Sequence, residues 1–226
     1  LSMAVGTGNI WRFPRIAASN GGGEFLVAWL VCLFSWSIPL ILIELGMGRM
    51  TRRGSVGAFV MTQGKSSAWK GGFIALVAAA IMCYYSVVCG WTLRYFIASA
   101  GGALTGDNSV SYWRDFSTSL APVLPHIIAI LGATWIVARG VKGIERATTI
   151  MMPILIAIIL LLTGRALMLP GAKDGLAYLY SVDWHRLSDA NIWLQARTQH
   201  AWDTGAGRGL VICYAAYMRH TEDTAL

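Results

Sequence analysis

The chain is poor in charge. Only 13% of its 226 residues are Asp, Glu, Lys or Arg, while 56% are apolar and the mean hydropathy is +0.56. A soluble domain carries about 25% charge, so too little polar surface remains to keep this chain in water, and an integral membrane protein is expected. The same apolarity excludes intrinsic disorder. Cysteine is also scarce: four in a chain of this length exclude a disulfide scaffold. Cys32, Cys83, Cys89 and Cys213 all fall in apolar runs, as small packing residues, and no CxxC or His/Cys cluster suggests a metal. The glycines follow no period, which excludes collagen, and no n-region, h-region and cleavage site open the chain. It begins at Leu1 and stops a few residues beyond an apolar stretch, which reads as a fragment.

What is present is a series of long apolar runs. Segments 24–49, 70–98, 118–139 and 144–168 are each about long enough, at ~1.5 Å per helical residue, to cross a ~30 Å hydrocarbon core. Weaker candidates at 1–18 and 191–218 flank them, the last containing Arg197, Asp203 and Arg208. The formal charge of +7 does not gather on one soluble face, as nucleic-acid binding would need. Arg49, Arg52, Arg53, Lys65 and Lys70 lie in one connection, and Arg139, Lys142 and Arg146 in another. The alternate connections hold only Arg114, Lys173 and Arg186 against Asp107, Asp115, Asp174, Asp183 and Asp189. The positive-inside rule makes loops 50–69 and 140–143 cytoplasmic, and Arg219 emerges on the same side.

Two of the six segments are unsuited to regular helix. In Ser2–Pro14, Gly6 and Gly8 weaken a helix by about 1 kcal/mol each relative to Ala, and Thr7 and Asn9 add polar groups. An interruption here frees backbone groups that a bilayer tolerates only where they line a cavity or bind something. A glycine packing face is the alternative. A dinucleotide turn fails, because GxGxxG would need glycine where Trp11 stands. The second interruption is Trp202–Gly209, where Gly205 and Gly209 also fit a GxxxG packing motif. That motif leaves Asp203 unexplained: a carboxylate at mid-bilayer costs roughly 2.5–3.5 kcal/mol and usually marks an ion path or a paired charge. Two glycine-interrupted segments in corresponding positions point to a secondary transporter with a midplane site.

At these residues the chain resembles the neurotransmitter:sodium symporter family, which has the leucine-transporter fold. The resemblance rests on AVGTGNIWRFP (4–14), NGGG (20–23), IPLILIELGMGR (38–49), Tyr84-Tyr85 with Trp91-Thr92, GVKGIER (140–146) with Pro153, and CYAAYMR (213–219). It implies an all-α membrane protein with an inverted-repeat fold, of which this chain is the first five-helix repeat plus the first helix of the second, helices 1 and 6 being broken. It implies a sodium-coupled symporter of an amino acid or related small zwitterion working by alternating access. The coupling ion would be Na⁺, with no organic cofactor. Ala4 and Asn9 match the first Na⁺ site, which Asp203 would join, and Ser2 and Val5 match part of the second. Gly6, Gly8 and Tyr85 match groups that receive a substrate carboxylate. Ala4, Ile81, Trp202, Gly205 and Arg208 fall at the rest of the substrate cradle. Arg12 matches an outer-gate arginine whose acidic partner belongs to a later helix.

Two departures sharpen the expectation. Asp203 stands where the family commonly has Ser or Thr, and Trp29 where chloride-dependent members have a tyrosine that helps hold the anion. A carboxylate beside Na⁺ would supply that negative charge itself, giving a chloride-independent variant. Three roles stay open for Arg208, which replaces an aromatic or apolar pocket residue: recognition of an acidic substrate, a salt bridge with Asp203, or a substitution that abolishes transport.

A membrane enzyme would need a nucleophile and base, or paired carboxylates, at one depth. Glu44 and Asp203 are the acidic residues within the spans, Glu44 near the cytoplasmic end, and His126 is interfacial, so no enzyme is expected. The expected setting is a plasma membrane, such as a bacterial inner membrane. The partners are the lipid bilayer, Na⁺ and an amino acid, not nucleic acid, and a homodimer is compatible with the resemblance. The competing function is a truncated or transport-inactive membrane fragment acting as an assembly or packing module.

Overall fold

A computed structural model describes residues 8–104 and 108–218. Ser2, Ala4, Val5, Gly6, Asp107 and Arg219 lie outside the described residues. The described chain is helical and divides into two units, 1–78 with 155–226, and 79–154.

In the first unit the organising element is a rod of 29 residues, Gly23–Thr51, about 40 Å long at helical rise. It comprises α2 (Gly23–Cys32), a π-helical turn at Leu33–Ser37, and α3 (Ile38–Thr51). The widened turn has a local cause. Pro39 has no N–H to give and its ring would press on the carbonyl one turn back, so the helix loosens before it, and the Ser35 hydroxyl donates to the Val31 carbonyl at 2.6 Å. Preceding the rod, a π-helical Gly8–Arg12 runs into α1 (Phe13–Ser19), where Pro14 occupies the first turn.

Two short helices lie against the rod. α10 (Ala190–Asp203) packs on α2, and α11 (Leu210–Ala215) packs on α3. Phe25, Ala28, Ile192 and Ala196 are fully or almost fully buried between α2 and α10, with Ala17 of α1 and the flanking Phe13, Trp29 and Trp193. At the other end Gly48 permits close approach: a Cβ there would lie 2.4 Å from the Ile212 carbonyl oxygen and 2.6 Å from the Ala215 Cβ. Arg52 follows α3 in the left-handed conformation (φ 52°). Its guanidinium donates to the carbonyls of Ala216 and Met218, so this loop cation also satisfies acceptors beyond the end of α11.

The connections hold more helix than the charge pattern suggests. Segment 50–69 contains α4 (Ser55–Gln63) and a 3₁₀ turn, Lys65–Ser67. The connection after the 144–168 span contains α9 (Ala172–Tyr180) and a 3₁₀ turn, Trp184–Ser188. The Tyr178 hydroxyl donates to the Ala18 carbonyl at 2.8 Å. Buried Glu24 accepts from the Asp183 amide at 3.3 Å and lies 3.7 Å from the Arg186 guanidinium, which ties this connection to the head of α2.

α5 (Ala68–Ala100) runs from the first unit into the second, and α8 (Gly140–Leu167), with Pro153 inside it, runs back. Together with its leading 3₁₀ turn, α5 gives a 36-residue apolar helix, and α8 gives one of 28, both long enough to cross a membrane. The expected span 118–139 is different. α6 (Ser109–Thr118) and α7 (Val123–Val137) meet at 79° across 119–122. α6 is amphipathic, and its Tyr112, Trp113 and Phe116 pack on Trp91 and Tyr95 of α5, an aromatic cluster of the kind found at membrane interfaces. The expected span began at 118 and so left all of α6 but Thr118 in a connection, because ten residues with two charges lack the long apolar run of a span. His126, expected merely at the interface, lies in the first turn of α7, where a Cβ on Gly90 would come within 2.7 Å of its amide nitrogen.

Gly48→Val in the full-length protein should lower stability by about 1–3 kcal/mol, the usual cost of overpacking, seen as a lower melting temperature in detergent. Gly46→Val, where a Cβ would meet nothing within 4 Å, should leave it unchanged.

Candidate ion and substrate site

The interruption after α10 occupies six residues, Thr204–Gly209. Gly205, Gly207 and Gly209 take φ values of 70°, 82° and 68°, in the region that L side chains disfavour. The GxxxG pair is therefore part of an unwound turn as well as a packing feature. A Cβ on Gly209 would also lie 2.6 Å from both Ile74 and the Ser55 hydroxyl.

Each end of the break is attached to the rod by a buried carboxylate. At the α10 end, Asp203 Oδ2 accepts from the Trp29 indole N–H at 2.9 Å, and Oδ1 lies 3.6 Å from His200 Nδ1. His200 is fully buried and stacks on Trp29, with ring centroids 5.0 Å apart and planes 14° apart. Its Nε2 lies 2.8 Å from the Trp29 carbonyl, which can only accept, so Nε2 carries a hydrogen. At the α11 end, Glu44 Oε1 accepts from the Gly209 amide at 3.2 Å, and Ser55 Oγ donates to the Gly209 carbonyl at 3.4 Å. Thr204 Oγ1 reaches Ser37 Oγ at 3.4 Å and accepts from the Ala206 amide at 3.3 Å.

Asn9, Phe13, Trp29, Leu33, Asp203 and Thr204 line a cavity of about 420 Å³. Two residues expected at the first Na⁺ site, Asn9 and Asp203, thus face one space although 194 positions separate them in the sequence. Asp203 Oδ1 is buried without a hydrogen bond, its nearest charged or ring partner being His200 Nδ1 at 3.6 Å. Among the described residues no group of three His, Cys, Asp or Glu side chains converges. Asn9, Asp203 and Thr204 offer the cavity hard oxygen donors of mixed origin, which suit a hard cation.

A second set of contacts adjoins Trp202. Arg12 donates from Nη1 to Gln199 Oε1 and lies 5.8 Å from the Trp202 ring. The Arg208 guanidinium lies 5.5 Å from the same ring and donates to the Ala201 carbonyl. The Asp203 carboxylate is engaged by Trp29 and His200, not drawn into the salt bridge with Arg208 considered from sequence. Arg197 stacks 3.8 Å over Trp36 of the rod, so that charge in the span also has an aromatic partner. Ile81 and Tyr85 lie on α5 in the second unit, both partly buried, with Tyr85 edge-on to Tyr84 at 5.8 Å. Gly8 opens the π-helical segment.

The sequence of the sodium:neurotransmitter symporter family matches over residues 1–119 and 120–225. The chain belongs to that family. It is 32% identical to a sodium-dependent transporter of Methanocaldococcus jannaschii, across 100% of this chain and 48% of that protein. It is 28% identical to the sodium-dependent neutral amino acid transporter B(0)AT2 of Rattus norvegicus, across 99% of this chain and 35% of that one. Among solved structures it superposes on MhsT in complex with L-phenylalanine with a TM-score of 0.86 and 34% identity, covering 95% of this chain and 50% of MhsT. The fold is that of the leucine transporter, and the chain spans about half the length of the Methanocaldococcus jannaschii transporter and of MhsT. A multi-pass membrane protein with a symporter fold, not an enzyme fold, follows from the membership and the long apolar helices.

Sequence reasoning missed two residues that contact the side chains around this cavity. His200 was hidden in a polar-looking stretch, TQHAWD, and Gln199 beside it. A third, Glu44, was noticed only as a carboxylate near a helix end. Its signal was available: an acid four residues before Gly48, inside an otherwise apolar run, requires a buried donor.

If Trp29 and Asp203 act as one unit, Trp29→Phe and Asp203→Ala should be non-additive in the stability of the full-length protein. A coupling of about 1–3 kcal/mol is expected for a hydrogen bond to a buried charge, and strict additivity in a double-mutant cycle would break the pairing.

Proposed function

We propose that this chain forms the first half of a Na⁺-coupled symporter for an amino acid or a related small zwitterion, and that transport does not require chloride. The observation that carries the proposal is the convergence of Asn9 and Asp203 on one cavity at the helix break. Na⁺ is bound there by the Asn9 side-chain carbonyl, the Asp203 carboxylate and the backbone carbonyl of Ala4. Ser2 and Val5 contribute carbonyls to a second Na⁺, completed by a later helix.

Electrostatics favours this use of Asp203. The residue ends α10, where the helix macrodipole is negative, so the carboxylate adds charge to an already negative end. The Trp29 indole N–H offsets part of that cost, and a bound cation offsets more. The indole also donates only: it can hold the carboxylate but offers no oxygen to an ion. Asp203 therefore supplies the anion that neutral Ser or Thr cannot, and chloride becomes unnecessary.

The substrate carboxylate is received by the amides around Gly6 and Gly8 and by the Tyr85 hydroxyl. Ile81, Trp202, Gly205 and the Arg208 region surround its side chain, and Arg12 with Gln199 belongs to the outer gate. Names among the relatives support the substrate class: a neutral amino acid transporter, and a structure holding L-phenylalanine. The chain lies in a plasma membrane with segments 50–69 and 140–143 on the cytoplasmic side, in keeping with their charge, although the structure makes 140–143 the first turn of α8 and not a loop.

In proteoliposomes of the full-length protein, amino acid uptake should require an inward Na⁺ gradient and be unchanged when gluconate replaces chloride. Asp203→Ser should lower uptake in gluconate by at least about tenfold, and adding Trp29→Tyr should restore part of it in chloride only. Strong chloride dependence of the unmodified protein would overturn the proposed role of Asp203.

A further inference from the structure

The second unit carries a basic cavity that the ion and substrate site does not use. Ala138 and Arg139 alone join α7 to α8. Gly140 turns the corner at φ 68°, and a Cβ on Gly143 would lie 2.4 Å from the Ile136 carbonyl oxygen and 2.6 Å from the Arg139 Cβ. Only glycine lets the first turn of α8 press this closely on the end of α7. The corner leaves a cavity of about 600 Å³, within the range that holds a sizeable organic ligand.

Its lining combines charge and hydrocarbon. Arg139, Lys142 and Arg146 line it together with Ile136, Ile150 and Met151. Lys142, Arg146 and Ile150 succeed one another at four-residue spacing, so one face of α8 passes from charge to hydrocarbon over ~12 Å. Among the described residues, none of the three cations lies within 4.0 Å of a carboxylate. Glu145, the acidic residue of the corner, does not line the cavity. The Arg139 guanidinium stacks 3.7 Å over the Trp135 ring, which fixes its plane and leaves its edge N–H groups available to a phosphate. Trp135 is itself 61% exposed, as are Ile150 at 56% and Met151 at 63%, the pattern of a tryptophan at headgroup level with hydrocarbon-facing residues beyond it.

We propose that the α7–α8 corner binds an anionic phospholipid, its phosphate among Arg139, Lys142 and Arg146 and an acyl chain along Ile136, Ile150 and Met151. Three unpaired cations joined to an apolar trough complement an amphiphile, whereas a free anion would use only the charged end. Basic pockets between membrane helices recognise anionic headgroups in this way. That the lipid comes from the cytoplasmic leaflet rests on the orientation proposed above, but binding itself does not depend on transport.

The test is native mass spectrometry of the full-length protein in detergent, titrated with phosphatidylglycerol or phosphatidylcholine. Phosphatidylglycerol should be retained on the order of tenfold more strongly. The variant carrying Arg139→Gln, Lys142→Gln and Arg146→Gln should lose that preference, and one carrying Arg53→Gln, Lys65→Gln and Lys70→Gln should keep it. Should the first variant not fold, Arg146→Gln alone and Ile150→Trp, which fills the trough, should each weaken retention. Equal retention of the two lipids, displacement by inorganic phosphate alone, or photo-crosslinking of the bound lipid to helices other than α7 and α8 would each overturn the proposal. Loss of uptake with lipid preference intact would count against the symporter assignment only.

Discussion

A helix broken inside a bilayer must hand its freed backbone groups to something other than water, since each unsatisfied group costs several kcal/mol. In this chain that requirement is met by the continuous rod Gly23–Thr51, against which the two halves of the broken helix lie end to end. Trp29 and Glu44, fifteen positions apart on the rod, hold the two ends of the gap through Asp203 and the Gly209 amide. About 22 Å of helical rise separates these two anchoring residues, one on α2 and one on α3. The close packing at Gly48 and the buried layer around Phe25 depend on the same alignment.

The two attachments differ in electrostatic sign. Glu44 places negative charge at the start of α11, where unpaired amides make the helix end positive. Asp203 does the reverse, adding a carboxylate to the carbonyl end of α10. Each acid has one bonded oxygen and one buried oxygen without a hydrogen bond, Oε2 of Glu44 and Oδ1 of Asp203, so bond counting does not separate them. Placement does: Asp203 sits at a negative helix end and lines a cavity with Asn9, an arrangement suited to holding a cation, whereas Glu44 faces the positive end of α11.

Much of this was legible in the sequence, and the parts that were not have physical reasons. The glycines of 205–209 and the isolated acid at 203 announced the break, because both are costly in regular membrane helix. The pairing of Asp203 was not legible. Arg208 was the obvious counter-charge by sequence distance, but the left-handed glycines direct its side chain back to the Ala201 carbonyl and the Trp202 face. Neither Trp29 nor His200 could be nominated, since the contact depends on α10 packing against a rod more than 170 residues earlier in the sequence. Helices α6 and α9 were missed for another reason: short amphipathic helices lack the long apolar run that betrays a span, and their stability comes from aromatic and hydrogen-bonded docking. The π-helical turn before Pro39 could have been inferred from that proline alone.

His200 also constrains Trp29. Its ring stacks on the indole and bonds the indole's own backbone carbonyl, so side chain and main chain of Trp29 are held by one imidazole. The indole N–H is thereby presented to Asp203 with little freedom left to lose, and the entropic cost of ordering it is met once, by the fold, and not at each binding event. A tyrosine at position 29 could share a proton in either direction and engage an anion or a cation. The donor-only indole, fixed by His200, commits this wall of the cavity to a carboxylate. The identity of residue 29 and the charge of residue 203 are thus a single choice about how the negative charge beside the proposed Na⁺ is supplied.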